Sequence, residues 1–249
     1  MFSFLKKIFK KAPLELTVHI EQSKAYLLEI LPPRAAKTLV PSWYKNLQKF
    51  VTAKNNVGLE HPSPTMKTCP VIFETLHKGL IIPLWSDLYL EVNHDGNYRY
   101  EFCSRGNHLN SHDREQLGNQ FYPGYINIKL LSPWAIRTNK FKKFYLSSAF
   151  YHLNTNLDFL VMPGFIDFYY NKAVHINILV PVPKQGISRI YIKAGTPLVQ
   201  LIDTTMEPFT MNYKIVSSDE FISLTNYRIS HEFGTYKFKK FKNHLDKDL

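Results

Sequence analysis

From residue 80 onward the chain repeats one pattern, in which short apolar or alternating runs are cut off by Pro, Gly or Asn. The runs cover 81–92, 125–136, 141–149, 157–162, 174–182, 187–192, 198–202 and 209–216. A period of two sends successive side chains to opposite faces of a strand. Many short strands with no helices between them describe a sandwich or barrel, and they exclude a βαβ array. The hairpin signal is strongest at His94-Asp95-Gly96-Asn97, which separates Leu88, Leu90 and Val92 from Tyr98, Tyr100 and Phe102. Aromatic content agrees, since 18 Phe, 15 Tyr and 3 Trp suit strands better than a helix bundle. With 45% hydrophobic residues over 249 positions, the chain can bury a full core in one domain, and disorder is excluded for most of it. No run of about 18 apolar residues exists, so no transmembrane helix is expected.

The N-terminal portion mixes elements. Leu14, Leu16, Val18 and Ile20 alternate as in a half-buried strand, and Leu31-Pro32-Pro33-Arg34 breaks the segment before it. Ser42, after Pro41, is placed to cap a short helix carrying Trp43, Leu47 and Phe50 on one face. A polar loop is expected over 52–68, with Pro62 and Pro64 in it, and a second over 104–119. Between them, Pro70 and Gly79 bracket a helix. Ser217 and Glu220 form a capping box for a final helix, with Phe221, Leu224 and Tyr227 as its buried stripe and Gly234 as its end. No repeat or linker divides the chain. It reads as a basic amphipathic segment at 1–12, one β-rich domain over 13–235, and a basic aromatic tail at 236–249.

Charge is concentrated at those ends. There are 31 Lys+Arg against 20 Asp+Glu, a net +11, which favours phosphates or anionic surfaces as neighbours. Lys6, Lys7, Lys10 and Lys11 open the chain, and Lys237, Lys239, Lys240 and Lys242 alternate with Phe238 and Phe241 near its end. These ends are either solvated termini or docking segments. As docking segments they would suit a protein partner first and nucleic acid second, because the centre carries no basic, aromatic-rich sheet. Cys69 and Cys103 allow at most one disulfide, and 1–12 lacks a signal-peptide core, so a reducing cytoplasm is expected. His108 and His112 stand four apart with Asp113 and Cys103 nearby, but Gly106, Asn107, Asn110 and Ser111 read as loop. No metal site is expected there. The remaining histidines, His19, His77 and His175 among them, read as packing or surface residues.

The densest cluster of chemistry is Pro163-Gly164-Phe165-Ile166-Asp167-Phe168-Tyr169-Tyr170, succeeded by an apolar strand and then Gly195-Thr196-Pro197-Leu198-Val199-Gln200. On these residues the region 121–203 resembles the trimeric dUTPase and dCTP deaminase superfamily. The resemblance implies a β-barrel or jelly-roll sandwich and a homotrimer with sites at subunit boundaries. It also implies that Asp167 activates water and that Tyr170 packs on a nucleoside, with Ser148 and Gln200 completing the ligand-binding set. The departures are as informative. No Asp-Ala-Gly-x-Asp strand is present, and Leu146-Ser147-Ser148-Ala149 has Ser where the superfamily carries the phosphate-binding Arg. A lysine-rich tail replaces the Gly-rich arm that closes over substrate. A triphosphate without its Arg and lid loses most of its electrostatic stabilisation.

A second resemblance spans nearly the whole chain. Pro41-Ser42-Trp43-Tyr44-Lys45, Lys67-Thr68-Cys69-Pro70, Leu80 to Asp87, Ser132 to Thr138 and the opening MFSFLKKIFKK are similar to a family of tailed-phage proteins with no established reaction. It implies a protein acting in the cytoplasm of an infected host or in the virion. Together the readings give a mainly β fold: a dUTPase-like barrel or jelly-roll sandwich with an α/β N-terminal elaboration and a C-terminal helix. The expected function is a non-catalytic structural or binding component, with other copies or other phage proteins as partners and no cofactor. The alternatives are a diverged nucleoside triphosphate pyrophosphohydrolase or deaminase, for which Mg²⁺ would be needed, and a nucleotide sensor.

Overall fold

The computed structural model describes residues 13–103, 109–112, 122–153, 158–169, 172–205 and 207–225. Its first strand, β1 (Leu14–Glu21), is the expected one. Leu14, Leu16, Val18 and Ile20 all point inward and are fully buried. A single helical turn, α1 (Leu27–Ile30), and a two-residue strand, β2 (Arg34–Ala35), lead to α2 (Ser42–Asn46). Here the structure departs from expectation. Pro41 rather than Ser42 is the N-cap, no side chain caps the helix, and the buried residue is Tyr44. The helix stops at Asn46, where Leu47 turns extended (φ −65°, ψ 130°), and Lys67 Nζ donates to the carbonyls of Tyr44 (2.7 Å) and Lys45 (3.2 Å), which are among its last free acceptors. Trp43 lies half exposed, its Nε1 donating to the Tyr151 carbonyl at 3.2 Å.

The loop expected over 52–68 is instead mostly a hairpin of β3 (Phe50–Lys54) and β4 (Glu60–Pro64). Pro62 and Pro64 are tolerated because this sheet has only two strands, which leaves their nitrogens toward a free edge. Asn55 builds the turn, its Oδ1 accepting from the Val57 and Leu59 amides at 3.1 and 2.9 Å. Next comes α3 (Pro70–His77), with Pro at its first position and Gly79 beyond its end, as the sequence indicates.

The run 81–92 divides into β5 (Leu80–Pro83) and β6 (Leu88–Asn93). β7 (Tyr98–Phe102) pairs with β6 across the Asp-Gly turn, where Asn93 Oδ1 accepts from the Asp95 and Asn97 amides. Part of the second expected loop is a strand, β8 (Leu109–His112), held by ladder pairing to β9 (Tyr125–Thr138). After these come β10 (Lys143–Ser148), β11 (Leu160–Val161), β12 (Gly164–Asp167), β13 (Ala173–Pro181), β14 (Ile187–Ile192), β15 (Pro197–Asp203) and β16 (Phe209–Val216). The last described element is α4 (Ser218–Thr225). Ser217 Oγ accepts from the Glu220 amide at 3.2 Å, which is half of the expected capping box; the Glu220 carboxylate instead pairs with Lys214 at 2.8 Å. No residue of α4 is fully buried, so Phe221 and Leu224 form only a partly covered stripe. Tyr227 and Gly234 lie outside the described residues.

The fold is mainly β. One sheet runs β11-β13-β9-β1-β16, with β8 also on β9, and a second runs β12-β10-β15-β5-β2. A third holds β14-β6-β7. Among the described residues all neighbouring strands are antiparallel except β1 and β16, which pair in parallel from Leu14–Phe209 to Glu21–Val216. One apolar core joins the three sheets, with Trp134, Ile136 and Ile176 from the first, Phe144, Leu201 and Ile82 from the second, and Leu90 and Ile190 from the third. Each such fully buried side chain contributes about 1.5–3 kcal/mol. Cys69 and Cys103 are both free thiols, so no disulfide braces the core.

Candidate functional site

The residues singled out by resemblance fall on the second sheet, on either side of β10. Lys143 pairs with Asp167 at one end of that strand, while Ser147 pairs with Gln200 and Ser148 with Val199 at the other. At roughly 3.3 Å per residue, Asp167 therefore stands about 13 Å along the strand from Gln200 and about 16 Å from Ser148. Within one chain the structure does not bring these three positions together. Tyr170 lies outside the described residues, as do Lys237, Phe238, Lys239, Lys240, Phe241 and Lys242 and the whole of 1–12 and 236–249.

Two of the three have a local task. Asp167 closes β12, and its Oδ1 accepts from the Tyr169 amide at 3.0 Å, a turn that directs Phe168 onto Phe144 in the core. Ser148, half buried, ends β10. Gln200 is only 2% exposed, and its Nε2 donates to the carbonyls of Thr75 (2.6 Å) and Lys78 (2.8 Å). Those carbonyls belong to the C-terminal end of α3, which has no further turn to accept from. Gly79 comes next at φ +82°, so close to β15 that a Cβ would lie 2.1 Å from the Leu201 oxygen. Helix, glycine corner and strand form one rigid joint with the glutamine at its centre.

At the far end of β15 a polar clasp joins two loops. Glu207 bridges Lys140 (2.6 Å) and Lys142 (2.7 Å), and these two cations hold its carboxyl down at about 2. Lys142 also donates to Thr205 Oγ1, and buried Asp203 accepts from Thr205 Oγ1 and from the Glu207 amide through Oδ2. Sequence reasoning missed this cluster, because only the β10–β15 pairing brings residues 140–142 beside 203–207.

The histidines are more varied than the sequence implied. His19 is 5% exposed on β1, and burial pushes its ring below the usual histidine range. His77 stacks on Phe73 (4.1 Å between ring centroids), and its Nδ1 meets the Phe73 carbonyl. Half-buried His175 on β13 is pushed down to about 4, first by burial and second by the neighbouring Lys129 charge. That pair belongs to a polar row also missed in the sequence, where Asn127, Lys129 and Asn177 are spaced as ordinary strand residues. His112 is on β8, whereas His108 and Asp113 lie outside the described residues. Among the described residues no three His, Cys, Asp or Glu side chains gather at metal-binding distance, and no helix is long and apolar enough to cross a membrane. No family model and no curated protein matches the chain.

Proposed function

We propose that this chain is a non-catalytic structural or binding protein built on a dUTPase-like β-barrel, encoded by a tailed phage and assembling with copies of itself or with other phage proteins. The observation that carries this reading is the use made of Gln200. Both of its hydrogen bonds hold the end of α3, and the side chain is withdrawn from solvent. Asp167 likewise serves its own turn. Gln200 is thus occupied within the fold, Asp167 turns one carboxylate oxygen to its own turn, and the Arg expected to meet the phosphates is absent. The basic ends supply the docking chemistry, toward a protein groove first and nucleic acid second. The superfamily likeness makes a homotrimer the expected assembly, since closure of a ring removes exposed sheet edges.

The test is direct. The full chain, incubated with dUTP or dCTP and Mg²⁺, should release neither pyrophosphate nor ammonia. Release that vanishes in Asp167→Asn would establish the hydrolase or deaminase reading instead. Light scattering should give three times the 29.1 kDa chain mass, and a monomer at micromolar concentration removes the trimer.

A further inference from the structure

The β9–β13 ladder has two unlike faces. Ile126, Ile128 and Leu130 on β9, with Ile176, Ile178 and Val180 on β13, point into the core. The alternate residues point the other way: Asn127, Lys129 and Leu131 on β9, and His175, Asn177 and Leu179 on β13. Register sets Lys129 opposite Asn177, with His175 opposite Leu131 one place along on the same face, and Asn110 of β8 flanks Lys129 on its other side. The polar groups of this row are left short of partners among the described residues. Asn127 is 4% exposed and its Oδ1 has no partner, and half-buried Asn177 and His175 likewise leave Oδ1 and Nδ1 without one. Burial lowers the Lys129 amine from the usual lysine range, with no carboxylate of the described residues acting on it. Buried polar atoms in folded proteins are nearly always paired, so a lysine with three orphaned neighbours calls for a ligand.

We propose that this face binds a small oxyanion carrying at least one O–H, of the hydrogen phosphate, phosphate monoester or hydroxy-acid class. Lys129 Nζ meets the charged oxygen. The carboxamides of Asn127 and Asn177 accept from the ligand hydroxyl and donate to its remaining oxygens, and His175 completes the ring of polar groups. A metal cation is the wrong guest, because Lys129 repels it and no carboxylate is in the row. An apolar guest would leave the amine and both amides unpaired. The row lies on a different sheet from Asp167 and Gln200, so this site and the proposed function stand or fall separately.

Calorimetric titration of the full chain with inorganic phosphate, and separately with citrate, distinguishes the two sources of the anion. Saturable binding of at least one is expected. Lys129→Met should weaken it about tenfold or more, the loss of one charge-assisted hydrogen bond. Asn177→Asp, nearly isosteric, gives Lys129 an internal counter-ion and should abolish binding while the protein stays folded. Sulfate, which lacks an O–H, should bind more weakly than phosphate. The proposal is overturned if the folded parent binds neither probe, if sulfate binds as tightly as phosphate, or if Asn177→Asp binds as the parent does.

Discussion

The β3–β4 hairpin and the corner where α3 runs into β5 are near neighbours in sequence, yet they are held by different means. No residue of the hairpin strands is buried; Phe50, Val57 and Leu59 are largely in water. Its register rests on the ladder, the Asn55 turn and an exposed Lys54–Glu60 pair at 3.8 Å. At the corner, Leu76, Leu80, Ile81 and Ile82 are fully buried, Gly79 lies against the β15 backbone, and Gln200 ties off the helix. Both regions have good backbone hydrogen bonds. What separates them is burial, since a two-stranded hairpin without an apolar face is marginal by itself.

That contrast can be broken at its strongest point first. Gly79→Ala combines a left-handed backbone with a methyl group driven into the Leu201 carbonyl, and it should cost roughly 3–5 kcal/mol in urea unfolding. A loss below about 1 kcal/mol would mean that the corner yields easily. Gln200→Leu keeps the volume but strands the Thr75 and Lys78 carbonyls, and should cost about 1–3 kcal/mol. If Gln200→Leu is neutral, the glutamine does not tie off α3.

Acidification should reach the corner next. His152, 2% exposed beside α3, is pushed below its ordinary 6.5 chiefly by burial. Its unfolded form therefore takes up a proton before the folded one does, so stability falls as pH drops below about 6.5. His19 and His175 shift in the same direction, so His152→Leu should shallow this slope without removing it. An unchanged slope of melting temperature against pH would exclude His152 from the effect. The smallest change belongs to the hairpin. Val57→Ser and Leu59→Ser should each stay within about 0.5 kcal/mol, and a larger loss would show that something covers this hairpin in solution.

Much of the strand framework was legible because burial on one face writes itself as period two. The runs at 187–192 and 209–216 match β14 and β16 at both ends. The β3–β4 hairpin was not legible, because it buries nothing and therefore has no alternation to show, and because its prolines argue against a strand anywhere but a free edge. The candidate site was legible as residue types and not as roles. A glutamine in an apolar strand looks the same whether it waits for a ligand or ties off a helix 125 residues away in sequence, and only the β15–β5 pairing decides. The clasp at Glu207 and the polar row at Lys129 are likewise products of register between distant segments.

The parallel pairing of β1 with β16 has a consequence for how the chain is made. Every ladder partner of β1 emerges much later in synthesis: Ile20 pairs with Trp134, and Leu14 with Phe209. Its backbone therefore leaves the ribosome with no ladder partner until β9 arrives, and the strand is not enclosed on both edges until β16 does. Such long-range closure makes folding slow and leaves an apolar strand unprotected in the meantime. A strand made well before its partners is among the last to be secured.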